Sequence, residues 1–215
     1  MIEKCGEKIG RIVECVETRI AEINQRYRNG PDLYFYKRVI CLRNSSSNII
    51  SFLENDYCIE ILYATLVAWD MNSRRAKLKY FDEFKNNVRS CRDNFEKIES
   101  LTQGDIDVER LIELLKEIYL NLHVMQTKAR LVANSKLLHF LFPKICIPAD
   151  RSNTLEFFYG NHSESFEKYG DIVRLSFEIM KKMGHWERYF DNGWNTTIPK
   201  MIDNAIILLV GKSVS

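Results

Sequence analysis

The chain is organised around residues 128–159, which read KARLVANSKLLHFLFPKICIPADRSNTLEFFY. From Ser135 to Phe142 the apolar side chains leave almost no solvated face, so this segment is predicted to be a short buried helix. Pro143 ends that helix, because its ring clashes with the preceding turn and its nitrogen cannot donate a hydrogen bond. The short connector 144–149 then delivers Asp150 to the start of the next helix. The stretch therefore predicts two helices with polar side chains where they meet.

Four polar residues of this stretch are candidates for a functional site. Lys136 and His139 lie three residues apart, so on a helix both side chains leave from the same side. A lysine near apolar walls has a lowered pKa and can act as a base or nucleophile, and a nearby aspartate can orient it or relay a proton. We therefore predict that Lys136, His139 and Asp150 are catalytic residues in one cleft, and that Arg151 binds a ligand beside them.

Each of these residues also has a purely structural interpretation. Asp150 precedes a helical segment and is a good N-cap, accepting hydrogen bonds from unpaired backbone amides. Lys136 can extend from a buried helix to water along its own apolar stem. His139 can be a hydrogen-bonded histidine of the core. The sequence leaves both sets of roles open.

Composition restricts the class of protein. The chain has 215 residues, of which 46% are hydrophobic, which is enough for the core of one domain. Apolar residues recur every three or four positions and no segment alternates convincingly, so we predict an all-α, single-domain orthogonal bundle of about eight to ten helices spanning residues 1–215. With 31 basic and 29 acidic residues the net charge is +2, so any attraction to nucleic acid must come from a local patch.

The same composition predicts a compartment. No segment of about 18 apolar residues could span a bilayer, and charged residues interrupt the N-terminal stretch where a signal peptide would be apolar. The six cysteines form no CxxC pair, and no histidine lies at metal-ligand spacing from them. We therefore expect a cytoplasmic protein with reduced thiols, no membrane contact, no structural zinc and no cofactor.

Residues 69–92 form a strongly basic window, in which seven basic residues stand against three acidic ones. Its basic side chains are predicted to contact phosphates, with Tyr80, Phe81 and Phe84 as platforms for bases. The ligand-binding residues predicted from this window are Trp69, Arg74, Arg75 and Lys77. The alternative is a solvated helix face whose aromatic residues turn towards the core.

Two further segments are predicted to contribute to the same cleft. Residues 185–197, HWERYFDNGWNTT, suit a loop packed over a cleft, with Trp186 and Trp194 lining it. The last helix begins near Thr197 and is almost wholly apolar, so Asp203 needs a partner. Either it bonds to neighbouring backbone, or it faces the cleft of Lys136 and Asp150.

Three stretches together resemble an uncharacterised family of prokaryotic all-helical proteins: Trp69 to Phe84, Ser135 to Gly160 (SKLLHFLFPKICIPADRSNTLEFFYG) and Lys200 to Ala205 (KMIDNA). The resemblance extends over most of residues 60–210 and implies a helical fold. It implies no activity.

A more local resemblance is to the helix-hairpin-helix DNA glycosylases, in which a lysine opens a helix and an aspartate follows a short hydrophobic connector. Lys136 and Asp150 match these two roles, and the resemblance implies a nucleophile and a proton-handling carboxylate acting on a flipped base. Residues 131–135, LVANS, lack the glycines of that family's hairpin.

Three functions follow as hypotheses. The preferred one is binding of nucleic acid or another anionic ligand through the basic residues and a Lys/Asp cleft, with Tyr159 and Asp203 among the contacts. The second is a glycosylase-like enzyme that uses Lys136 and Asp150. The third is a structural or partner-binding helical protein.

Overall fold

The apolar periodicities of the sequence form helices. The computed structural model describes residues 2–72 and 77–211, with side chains from residue 6 onward. The α-helices are α1 (Ile2–Arg19), α2 (Ile23–Arg26), α3 (Pro31–Ser45), α4 (Ile49–Glu54), α5 (Asp56–Leu66), α6 (Phe81–Ser90), α7 (Arg92–Leu101), α8 (Val108–Asn121), α9 (Leu131–Leu141), α10 (Glu156–Tyr159), α11 (Phe166–Lys182) and α12 (Ile198–Val210). The predicted all-α, multi-helix class is confirmed.

Short irregular turns complete the helical segments. Two are π-helical, Val67–Met71 and Arg151–Leu155, and two are 3-10 helical, Ile20–Glu22 and Trp186–Tyr189. Among the described residues, the backbone pairs in β fashion at an isolated antiparallel bridge between Leu78 and Met125, outside any strand.

One cluster of buried apolar side chains runs through the molecule, from Ile9 in α1 to Leu208 in α12. Helix α1 packs against α12, α3 packs against α5 and α9, and α8 packs against α11. The two ends of the chain therefore share one core, which is the arrangement that a single domain requires. Within residues 2–72 and 77–211, we find no helix with the length and apolar character needed to cross a bilayer.

The focal stretch folds largely as predicted. Helix α9 begins one turn earlier than expected and ends before Pro143. The connector after it is buried except for Lys144, and Asp150 caps the next segment by accepting hydrogen bonds from the amides of Asn153 and Thr154. The structural role predicted for Asp150 is therefore confirmed.

The start of α3 and the end of α5 differ from expectation. The turn at residues 29–31 predicts Asp32 as the N-cap of the helix that follows, but Gly30 occupies that position and Pro31 the first helical one. Residues 57–69 are apolar on most sides and predict one buried helix, but α5 ends at Leu66 and becomes a π-helical turn. Within this turn Asp70 has a φ of 64°, a left-handed conformation that is uncommon for a residue other than glycine. Trp69 is thereby placed at the end of a helical segment, beside the site.

Candidate functional site

One pocket brings together four of the ten predicted site residues. It has a volume of about 180 Å³ and is lined by Lys136, Asp150, Trp69 and Asp203. At roughly 30 Å³ per water molecule, it has room for about six waters. It is smaller than the ~300–1,000 Å³ typical of drug-sized ligands, so it suits a single ring system.

Lys136 extends from α9 to the Trp69 wall of the pocket. Its ammonium donates a hydrogen bond to the carbonyl oxygen of Trp69 at 2.9 Å and lies 5.7 Å from the centroid of the indole ring. Burial lowers the pKa of Lys136, the negative charges of Asp150 and Asp203 oppose that shift, and the ammonium of Lys200 adds to it. A lysine with one fixed acceptor has two further N–H groups for a ligand.

Asp150 is both a helix cap and a wall of this pocket. Its Oδ1 accepts from the Asn153 amide at 2.6 Å, and its Oδ2 accepts from the Asn153 side chain at 2.8 Å. The capping bonds hold the carboxylate in one orientation, with Asn153 also lining the pocket. The structural and functional interpretations of Asp150 are therefore compatible.

A buried ion pair forms the opposite side. Lys200 and Asp203 lie one turn apart in α12, with 2.6 Å between Nζ and Oδ2, and their side chains are only 5% and 6% exposed. The Lys200 ammonium lies over two indole rings, 5.1 Å from the centroid of Trp69 and 5.3 Å from that of Trp194. Asp203 therefore pairs with Lys200 and faces the cleft. Of the two environments predicted for it, neighbouring backbone or the cleft, the structure has the cleft.

Lys200 is a site residue that the sequence-based prediction missed, as are Asp32, Asn153 and Tyr27. The signal for Lys200 was present, because a Lys and an Asp three residues apart in an otherwise apolar helix are placed to pair with each other. Burial raises the pKa of Asp203, and the charge of Lys200 opposes that shift.

The loop before α12 holds Trp194 in place. The Trp194 amide donates to Asn24 at 2.9 Å, and its indole N–H donates to the carbonyl oxygen of Tyr27 at 3.0 Å. Asn204 donates to the Trp194 carbonyl oxygen at 3.1 Å. The prediction that Trp194 lines the cleft is confirmed, whereas Trp186 is buried elsewhere, with its indole donating to Met180.

His139 lies behind the aromatic wall and does not line the pocket. Its Nδ1 is 2.8 Å from the Cys146 carbonyl oxygen, which can only accept, so Nδ1 carries the proton. Its Nε2 therefore accepts from the Tyr36 hydroxyl at 3.0 Å, and the Tyr36 oxygen accepts from Thr196 at 2.8 Å. Burial lowers the pKa of His139 to about 3. Lys136 and His139 thus have different partners, and His139 contacts the pocket wall from behind, by stacking against Trp69 and Tyr36.

Three further predicted residues, Arg151, Tyr159 and Lys77, lie outside the pocket. Arg151 is exposed and pairs with Glu164 at 2.6 Å, and the Tyr159 hydroxyl donates to the Lys168 carbonyl oxygen at 3.1 Å. Lys77 is exposed. Arg74 and Arg75 lie outside the described residues.

Much of the charge of residues 69–92 is neutralised locally. Asp56 pairs with both Lys85, at 3.5 Å, and Arg89, at 2.7 Å. Lys79 pairs with Glu83 at 3.7 Å. Most of the described basic side chains of this window therefore fit the alternative interpretation, which is a solvated helix face.

The arrangement offers hydrogen bonds and stacking together. Two lysines and three aspartates (Asp32, Asp150 and Asp203) line the pocket, with indole faces beside them. Across residues 2–72 and 77–211, no group of three or more His, Cys, Asp or Glu side chains has a geometry suited to a metal ion. Comparison of the chain with protein-family models, curated proteins and solved structures finds no match.

Proposed function

We propose that this protein binds a nucleobase or nucleotide, with the ring inside the pocket of Lys136 and Asp150. The observation that carries the proposal is the combination of a pocket of one-ring size, two indole walls and fixed donors and acceptors around it. Stacking of a base on an aromatic side chain contributes about 1–3 kcal/mol and tolerates every base, because each has a π-face. Hydrogen bonds to the polar groups would then select among bases.

The charge of the pocket favours a polar ring over a free anion. The Lys200–Asp203 ion pair is internally neutral, and Asp32 and Asp150 line the pocket together with Lys136, so the interior has no surplus of positive charge. A phosphate inside would have to displace or neutralise an aspartate. In this proposal the anionic part of the ligand stays at the mouth, and the ring enters.

Tryptophan fluorescence can test this proposal, since two of the three tryptophans line the pocket. Replacing Trp186 with Phe leaves Trp69 and Trp194 as the only reporters. We expect saturable quenching by nucleosides and nucleotides, and none by inorganic phosphate. Lys136→Met should weaken binding roughly tenfold to hundredfold, because a hydrogen bond to a charged group contributes about 1.5–3 kcal/mol.

The matched control is Lys144→Met, which removes an exposed lysine from the turn after α9. It should leave the affinity unchanged. Equal affinities for the Lys136→Met and Lys144→Met proteins, both shown to be folded by thermal melting, would contradict the proposal. So would the lack of a saturable signal with any nucleoside.

A second candidate, glycosylase-like catalysis, is favoured by the placement of the Lys136 amine opposite carboxylates in a buried site. In this mechanism the neutral amine attacks C1′ of a deoxynucleoside, and the C1′–N bond breaks with its electron pair going to the base. Asp150 accepts the proton released by the amine and passes it to the departing base. Opening of the sugar ring then gives an imine between Lys136 and C1′.

Borohydride reduces such an imine to a stable amine, so a covalent adduct reports it. Incubation with duplexes containing damaged bases should trap the protein on DNA, and Lys136→Met should abolish trapping while Lys144→Met retains it. No adduct across a broad panel of lesions would remove this candidate and leave the binding proposal standing.

A further inference from the structure

A second basic and aromatic segment lies next to the pocket, at residues 26–43. It contains five basic residues and a single acidic one, Asp32. The basic residues are Arg26, Arg28, Lys37, Arg38 and Arg43. In this shorter segment the excess of positive charge equals that of residues 69–92.

Exposed tyrosines accompany these charges. Tyr27 is 38% exposed, Tyr34 66% and Tyr57 46%, although phenol rings of this size are usually largely buried. On α3 the exposed positions Tyr34, Lys37 and Arg38 follow helical spacing and share the face turned to solvent. The rings therefore stand beside cations on an open surface.

Contacts connect this surface to the pocket. Tyr27 lines the pocket and accepts the indole N–H of Trp194. Lys37 donates to the carbonyl oxygen of Asn192, in the loop that holds Trp194. Beyond it, the guanidinium of Arg38 lies 5.7 Å from the ring centroid of Tyr57. Pocket mouth, loop and α3 face thus form one continuous surface, which we call the tyrosine strip (Tyr27, Tyr34, Lys37, Arg38 and Tyr57).

The positive charges of Lys37 and Arg38 are available to an anionic ligand. Among the ion pairs formed by the described residues, none includes Lys37 or Arg38. This differs from the basic residues of α6, whose Lys85 and Arg89 share Asp56. A polyanion could bind the strip without first displacing a carboxylate.

We infer that the tyrosine strip binds single-stranded nucleic acid, with phosphates on Lys37 and Arg38 and bases on Tyr34 and Tyr57. Phenol rings alternating with cations match a chain of flat bases alternating with phosphates, which is the common pattern of single-strand recognition. A duplex fits less well, because paired bases offer neither free faces for the tyrosines nor a free ring for the pocket. The placing of one base of the strand in the pocket rests on the proposed function; binding along the strip does not.

The test is a titration of labelled oligonucleotides of about 10 nucleotides, DNA and RNA, single-stranded and duplex, at two salt concentrations. We expect single strands to bind more tightly than the duplex. The variant Tyr34→Ser/Arg38→Gln should weaken single-strand binding tenfold or more and reduce the slope of log K against log salt by about 0.7, the value for one phosphate contact on a single strand.

The matched control removes the same two residue types elsewhere, as Tyr80→Ser/Arg92→Gln. Tyr80 is 77% exposed and the Arg92 side chain is 65% exposed, so both double variants should fold. The control should bind as the unaltered protein does. Equal single-strand affinities for the two double variants would overturn the inference, as would binding of anionic lipid vesicles, but not oligonucleotides, through the strip.

Binding of mononucleotides separates this inference from the proposed function. The strip variant should leave the Trp69 and Trp194 quenching by mononucleotides intact. If mononucleotides fail to bind while oligonucleotides still depend on Tyr34 and Arg38, the strip is supported and the pocket proposal fails. If mononucleotides bind but a single strand binds no better than they do, the strip inference fails and the pocket proposal stands.

Discussion

Removing the Lys200 ammonium while Asp203 remains should destabilise the fold by about 3–5 kcal/mol, the usual cost of leaving one partner of a buried ion pair uncompensated. The side chains are 5% and 6% exposed, so water cannot replace the lost partner without entering the pocket. Lys200→Met keeps the length and apolar stem of the side chain. Its effect therefore reports the charge and its cation–π contacts with Trp69 and Trp194.

The matched double variant, Lys200→Met/Asp203→Leu, removes both charges together. It should be considerably more stable than Lys200→Met alone, because replacing a buried pair with apolar residues is often close to neutral. Urea unfolding of the unaltered protein, both single variants and the double variant gives the coupling energy directly, provided that the m-values agree. Single-variant losses below about 1 kcal/mol, or additive losses, would refute this account of the pair.

The loss in Lys200→Met should depend on pH. Burial raises the pKa of Asp203 and Lys200 opposes that shift, so removing Lys200 raises the pKa further. The folded state then holds a proton that the unfolded state releases, and stability falls as pH rises above the unfolded value of the carboxyl group. The difference in unfolding free energy between Lys200→Met and the unaltered protein should accordingly be smaller at about pH 5 than at about pH 8.

Three further outcomes are expected. The ring signals of His139 should not titrate in NMR spectra between about pH 8 and pH 5, because its pKa lies near 3; the unfolded chain protonates near 6.5, so the contribution of this residue to stability is lost as pH falls from 6.5 towards 3. Asp150→Ala should cost about 1–2 kcal/mol in urea unfolding, whereas Asp150→Asn should retain most of the capping energy, and equal losses would contradict the capping role. Gly10→Ala should stabilise the protein by about 0.5–1 kcal/mol, since Gly10 lies inside α1 with no atom within 4 Å of an added Cβ. A lower midpoint of urea unfolding for this variant would contradict the prediction.

Local signals predicted much of the fold. Helical periodicity and capping residues identified α1, α8 and α12, because each has one apolar face or is buried along its length. The last helix begins near Thr197 as predicted, and Asp107 and Thr197 are the N-caps of α8 and α12. In these segments the residues that define an element are neighbours in sequence.

The geometry around Trp69 could not be predicted in the same way. Its π-helical turn contains neither glycine nor proline, and the residue with positive φ is Asp70. Such a conformation persists where the surroundings impose it. Here the Trp69 indole donates to the Asp32 carbonyl oxygen and its own carbonyl oxygen accepts from Lys136, both distant in sequence. The wall of the pocket is therefore set by tertiary contacts.

The placement of Lys136 and Asp150 in one pocket has a local cause that the sequence only partly revealed. Ser135 precedes the lysine and Ala149 precedes the aspartate, and the Ala149 amide donates to the Ser135 hydroxyl at 3.0 Å. This buried bond joins α9 to the connector next to both site residues. The bond thus fixes α9 relative to the segment that Asp150 caps. A lysine that loses side-chain entropy on burial is held opposite an oriented carboxylate before any ligand enters, and such preorganisation lowers the entropic cost of binding.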